Sequence, residues 1–137
     1  RHALAERPLE EGTGPLADAM LPKLFAPATL ELHSAMTAIQ RDRILATSPV
    51  GAAAALRGMG ARNDSRALLA QMTLPTLVIV GEHDSISTVD EMRSIAQAMP
   101  NATLAVIPHA GHMTPLENAT AFQAALDGYL ATLGAGV

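Results

Sequence analysis

Thr76-Leu77-Val78-Ile79-Val80-Gly81-Glu82-His83-Asp84-Ser85 and, further along, Thr103-Leu104-Ala105-Val106-Ile107-Pro108-His109-Ala110-Gly111-His112-Met113 share one layout: a short apolar run that stops abruptly in a glycine-containing polar loop. Neither run alternates polar and apolar residues, which is the pattern of a parallel strand buried on both faces. Between them Thr88 and Glu91 have capping-box spacing, and Val89, Met92, Ile95, Ala96 and Met99 mark the buried face of a helix. A closing helix is predicted from about Asn118, with Phe122, Leu126, Tyr129, Leu130 and Leu133 on one side and Gly134 placed to end it. The order strand, helix, strand, helix predicts an α/β fold with a mostly parallel sheet.

Upstream the texture differs. Residues 1–72 contain no convincing strand and read as short helices cut by proline and glycine. His2 to Glu11 is rich in helix formers, Gly12-Thr13-Gly14-Pro15 makes a turn, and Leu16, Met20 and Leu24 lie near helical spacing before the Ala26-Pro27 break. One longer helix is predicted from Thr29 to Leu45, and another from Pro49 to about Gly60, with Ser48 as its N-cap and proline at its first position.

Composition narrows the partners. An apolar content of 49% is enough for a core, whereas an aromatic content of 2% and a net charge of −4 with interspersed signs argue against base stacking or a basic stripe for nucleic acid. There is no cysteine, hence no disulfide and no thiolate metal site. The longest apolar runs fall far short of the ~20 residues of a membrane span, so no membrane partner is expected and a reducing cytoplasm is a compatible setting. Two parallel strands need neighbours on their edges, so the rest of the sheet is expected elsewhere. Residue 1 is Arg and no signal segment follows, so the chain reads as a fragment or processed product.

In open α/β sheets reactive groups gather outside the carboxyl ends of the strands, here the loops after Val80 and Ile107. If the strands are neighbours, ~4.8 Å apart, a carboxylate and an imidazole reach the same rim. That pair suits nucleophilic hydrolysis: imidazole, with an unperturbed pKa of ~6.5, takes the proton of a hydroxyl and returns it to the leaving group. Asp84 is placed to hold the ring and fix its tautomer, although a loop aspartate commonly just caps a turn. His83, His109 and His112, with carboxylates nearby, admit a metal reading, but His-x-x-His in a glycine loop does not enforce converging ligands and no metal site is expected. Met20, Met36, Met59 and Met72 read as core filler rather than pocket lining. Arg62 and Asp64 are expected to pair where the helical segment returns to the strands.

The stretch Leu74-Pro75-Thr76-Leu77-Val78-Ile79-Val80-Gly81-Glu82-His83-Asp84, followed by Ile107-Pro108-His109-Ala110-Gly111-His112, closely resembles the end of α/β-hydrolase fold enzymes, the esterase and enol-lactonase-like members in particular. The resemblance spans nearly the whole chain. It implies that Asp84, in Gly-x-x-Asp, is the triad acid and that His112, in Gly-His, is the triad base. It further implies that residues 1–62 form a helical cap and residues 63–137 the C-terminal βαβα part of the hydrolase core, with Pro115-Leu116-Glu117 leading into the last helix.

The family's nucleophile sits in a Gly-x-Ser-x-Gly turn well upstream. None of the six serines here (Ser34, Ser48, Ser65, Ser85, Ser87, Ser94) follows a glycine at that spacing, and the oxyanion-hole segment is missing too. The resemblance therefore implies a C-terminal part of an α/β-hydrolase fold that is inactive alone. Its parent is expected to cleave a small carboxylic ester or lactone through an acyl-enzyme, without metal or organic cofactor. An aspartate nucleophile would instead give dehalogenase or epoxide-hydrolase chemistry, and a non-catalytic binding module on the same fold stays open. Expected partners are the small substrate and the missing N-terminal half of the core, with self-association through apolar surface that this half would cover.

Overall fold

The computed structural model describes residues 2–134; the expectations attached to Arg1 and to residues 135–137 lie outside the described residues. Helices come first, without an intervening strand: α1 (His2–Glu11), α2 (Gly14–Leu24), α3 (Pro27–Leu32), α4 (Ser34–Leu45) and α5 (Pro49–Gly60). Pro15, Pro27 and Pro49 stand in first turns, where the missing N–H would have had no partner in the helix. Pro8 and Pro22 lie inside α1 and α2, which nevertheless run on past them.

The helices pack in pairs, α1 on α5 and α2 on α4. Arg57 holds both carboxylate oxygens of Glu6 at 2.9 Å across the first pair, and Arg41 meets Asp18 at 2.9 Å across the second. Both are exposed pairs, each worth about 0–1 kcal/mol, so the pairing rests mainly on buried small residues such as Ala17 and Ala53.

The single helix expected from Thr29 to Leu45 is in fact two. It breaks at His33 (φ −122°, ψ 53°). Thr29 is buried at 4% exposure and its hydroxyl donates to Glu117 at 2.8 Å, so α3 is tied to the far end of the chain while α4 turns away to pack on α2.

A 3-10 turn, Arg66–Gln71, leads to β1 (Thr76–Gly81), α6 (Val89–Ala98) and β2 (Ala102–Ile107). The strands form a two-stranded parallel sheet, in register from Thr76 opposite Ala102 to Gly81 opposite Ile107. Thr88 caps α6, its hydroxyl accepting the Glu91 N–H at 3.3 Å. The expected lead into the last helix is a separate turn, α7 (Thr114–Glu117), cut from α8 (Ala119–Gly134) at Asn118.

Burial on both strand faces is not what this chain shows. Leu77, Val78 and Ile79 are half-buried, and burial becomes complete only at Val80, Gly81 and Ile107. The cause is the width of the sheet: α6 packs on both strands, while no further strand flanks them among the described residues. A fully buried cluster lies at the strands' carboxyl ends, where Val80, Ile107, Phe25, Ala26 and Ala110 are each at most 2% exposed. Elsewhere large apolar side chains remain in solvent, Leu74 at 77% and Leu32 at 75%. Among the described residues no helix is long and apolar enough to cross a membrane.

Candidate active site

Pairing of β1 with β2 brings their two loops together, and backbone contacts fix the distance between them. Glu82 N–H donates to Ile107 O at 2.9 Å, extending the ladder by one step, and His83 N–H donates to Ala110 O at 2.8 Å. Gly81 allows this approach: a Cβ there would stand 2.0 Å from the carbonyl oxygen of Gly111 and 2.4 Å from that of Ala110.

On the other side of the same loop, a Cβ on Gly111 would lie 2.7 Å from the Ala26 nitrogen. The Gly111 segment is thus a layer of bare backbone between the end of β1 and the junction of α2 with α3. His112 and Met113 both donate their N–H groups to Leu24 O, at 2.9 and 3.1 Å.

This scaffold sets Asp84 against His112. Asp84 Oδ2 lies 2.8 Å from His112 Nδ1, with the carboxylate side chain 5% exposed and the imidazole 38% exposed. The other oxygen, Oδ1, accepts the N–H groups of Ile86 and Ser87 at 2.8 and 2.9 Å. Turn capping and histidine pairing are therefore both done by one carboxylate, one on each oxygen. The capping bonds stop the carboxylate from rotating, so Oδ2 is presented to the ring in a fixed direction. With Nδ1 bound to Asp84, Nε2 is the ring nitrogen that this contact does not use.

The histidine trio considered for a metal does not assemble, since His112 belongs to Asp84. Glu82, His83 and His109 come together instead, with ligand atoms within 4.8 Å of one another and all three residues exposed. Glu82 already accepts the His109 N–H at 3.0 Å, and that backbone hydrogen bond holds its carboxyl below the usual range. His109 has φ 58°, a left-handed conformation that histidine tolerates better than most side chains.

The expected Arg62–Asp64 pair is also corrected. Asp64 binds Arg66, through its guanidinium and its backbone N–H, and the side-chain hydrogen bond from Arg66 lowers its pKa to about 2. A cleft of about 570 Å³ lies there, lined by Leu56, Met59, Arg62 and Asp64 among others, and includes neither Asp84 nor His112. Of the four methionines considered above, Met59 borders it.

Glu117 is the residue that sequence reasoning undervalued. It figured there as a lead into a helix, whereas its carboxylate accepts hydrogen bonds from Gly111 N–H (2.8 Å), Ala26 N–H (2.7 Å) and the Thr29 hydroxyl (2.8 Å). Two of those donors are 91 and 88 residues away, beyond any local pattern.

Comparison with known proteins agrees with this architecture. A family model described as alpha/beta hydrolase fold matches residues 9–119. A thermophilic esterase from Thermogutta terrifontis superposes with a TM-score of 0.90 at 38% identity, over 96% of this chain and 48% of that one. An enol-lactonase from Burkholderia xenovorans gives 0.85 at 31% identity, over 93% of this chain and 48% of that one. A protein named as a carbamate hydrolase, RutD, from Pseudomonas syringae is 35% identical over 69 residues, 50% of this chain and 27% of its own. The chain thus spans about half the length of the two solved structures. The matched range, residues 9–119, takes in most of the helical segment and both paired loops, and the chain belongs to the alpha/beta hydrolase fold family.

Proposed function

We propose that this chain supplies the acid and the base of a serine-type hydrolase that cleaves small carboxylic esters or lactones through an acyl-enzyme. The observation that carries the reading is the 2.8 Å contact between a nearly buried Asp84 and a half-exposed His112 at the ends of adjacent parallel strands. In this reading His112 Nε2 takes the proton of a serine hydroxyl as the oxygen attacks the acyl carbon, and Asp84 stabilises the imidazolium that forms. The tetrahedral intermediate collapses, and the same proton passes to the departing alkoxide. Water, deprotonated by His112 in turn, then releases the acid. No metal or organic cofactor enters these steps.

The serine and the oxyanion donors would come from sequence outside this chain, in a turn of the type Gly-x-Ser-x-Gly. Helices through residue 62 would form the cap and residues 63–137 the C-terminal portion of the core. The half-buried β1 and the exposed Leu74 and Leu32 are then surface that the rest of the core would cover, and the chain by itself would be inactive and self-associating. The setting proposed is the cytoplasm, with which a cysteine-free chain is compatible. Support for ester or lactone substrates comes from the two solved relatives, one an esterase and one an enol-lactonase.

The test is turnover of p-nitrophenyl acetate and of a simple lactone by this chain and by a version extended upstream to include the nucleophile turn. The extended protein should be active and should lose about 10³-fold or more on His112→Ala, while the short chain stays at background. An aspartate in the upstream turn, or ester turnover indifferent to His112, would overturn the reading.

A further inference from the structure

All three backbone N–H groups from Gly111 to Met113 are bound to the helical segment or to the residue that holds it. Gly111 donates to Glu117 Oε1, and His112 and Met113 donate to Leu24 O. Glu117 Oε2 in turn takes the Ala26 N–H and the Thr29 hydroxyl, at the entry to α3. Ala26, Thr29 and Gly111 are all buried, and the 2.7 Å separation of a Gly111 Cβ from Ala26 N leaves no room for another side chain between loop and helix.

We propose that Glu117 is a positioning residue that couples the seating of the cap to the placement of His112. The inference deepens the function proposed above and rests on His112 being the base. Glu117 reaches neither the imidazole nor Asp84. It acts by joining the backbone one residue before His112 to the first turn of α3, so that a shift of α3 on the core moves the loop carrying the ring.

The chemistry of the link is selective. A carboxylate only accepts, and all of these partners donate. In Glu117→Gln one acceptor oxygen becomes an NH2 donor, which must face the N–H of either Gly111 or Ala26. Aspartate is too short by a methylene to reach both sides. Thr29→Val removes the hydroxyl alone and leaves the two backbone bonds in place.

The experiment is NMR of the His112 imidazole in the protein extended upstream, reading the Nδ1–H resonance of its hydrogen bond to Asp84. Glu117→Gln should move or broaden that resonance, and Thr29→Val should move it in the same direction by less. Thr88→Ala, which removes the cap of α6, should lower stability and leave the resonance where it is. If Glu117→Gln fails to fold, Thr29→Val decides.

An unmoved His112 signal in the folded variants, with only a lower Tm, would make Glu117 a plain structural staple and overturn the proposal. In the extended protein the coupling predicts about a tenfold or larger fall in kcat with KM little changed, because a base displaced by a fraction of an ångström leaves binding intact. Absence of ester turnover in that protein would count against the function proposed above, whereas the NMR result on Glu117 would stand.

Discussion

Gly81→Ala is the sharpest test of how the two loops are held. The added Cβ would sit 2.0 Å from Gly111 O, 2.4 Å from Ala110 O and 2.8 Å from Ala110 C, all of them backbone atoms that no rotamer can move away. Ordinary contact begins at 3.4 Å, so the end of β1 and the His112 loop must part by about 1.4 Å. Half of that displacement, applied along the Asp84–His112 bond of 2.8 Å, takes it to about 3.5 Å, beyond useful hydrogen bonding.

Overpacking of this kind costs about 1–3 kcal/mol, and the Glu82 and His83 N–H groups, if parted from Ile107 and Ala110, add about 1 kcal/mol or more each. A loss near 3 kcal/mol corresponds to a fall of about 10 °C in Tm for a chain of this size. The control is the same chemical change at Gly128, exposed in α8 with nothing within 4 Å of its Cβ, where alanine should stabilise by about 0.5–1 kcal/mol. Thermal unfolding followed by circular dichroism, with the His112 Nδ1–H resonance as local probe, measures both. A Gly81→Ala protein as stable as its parent, with that resonance unmoved, would refute the argument that bare backbone contact sets the pair.

Asp84→Asn keeps the shape but must turn an NH2 toward either His112 Nδ1 or the Ile86 and Ser87 N–H groups; ester turnover of the extended protein should drop about 10³–10⁴-fold with KM little altered. Asn118→Ala loses both the cap on Ala121 N–H and the bond to Pro108 O, and should cost about 1–2 kcal/mol in denaturant titration. The Tyr129 hydroxyl is buried without a hydrogen-bond partner among the described residues, so Tyr129→Phe should hold or raise Tm, and a clear fall would show that the hydroxyl has a partner. Asp64, held at about 2, favours the folded chain above the ordinary carboxylate range and loses that contribution as pH falls through about 2; Arg66→Gln should bring its titration back part of the way toward 3.8, read by carboxyl NMR, with Tm at neutral pH nearly unchanged because the pair is exposed.

What could be read from the sequence was what is encoded locally. Unalternated apolar runs ending in glycine loops identify β1 and β2, and the capping spacing of Thr88 and Glu91 identifies α6, because each signal lies within a few residues of its effect. Asp84 and His112 were legible at one remove, since the parallel pairing of two adjacent runs obliges their loops to meet. The break at His33 was not, because its cause is Thr29 bonding to a carboxylate 88 residues away. Asp64 is an intermediate case: aspartates in turns receive N–H groups from residues that follow them, which favours Arg66 over Arg62 on direction alone.

The glycines carry the same distinction further. In a sequence, Gly81 and Gly111 read as points where the chain gains conformational freedom, yet neither has a positive φ; the left-handed residue of the loop is His109. Their role is to have no side chain where three backbone segments stack: the end of β1, the Gly111 loop and the junction of α2 with α3. Freedom is a property of one residue and can be guessed from its type, but space depends on what else arrives. That stacking is also why Asp84 and His112 keep their distance on so small a sheet. The positions of Asp84 and His112 are set by backbone contacts on both sides of one loop, and Glu117 spans the seam with a carboxylate that accepts the Gly111 and Ala26 N–H groups and the Thr29 hydroxyl.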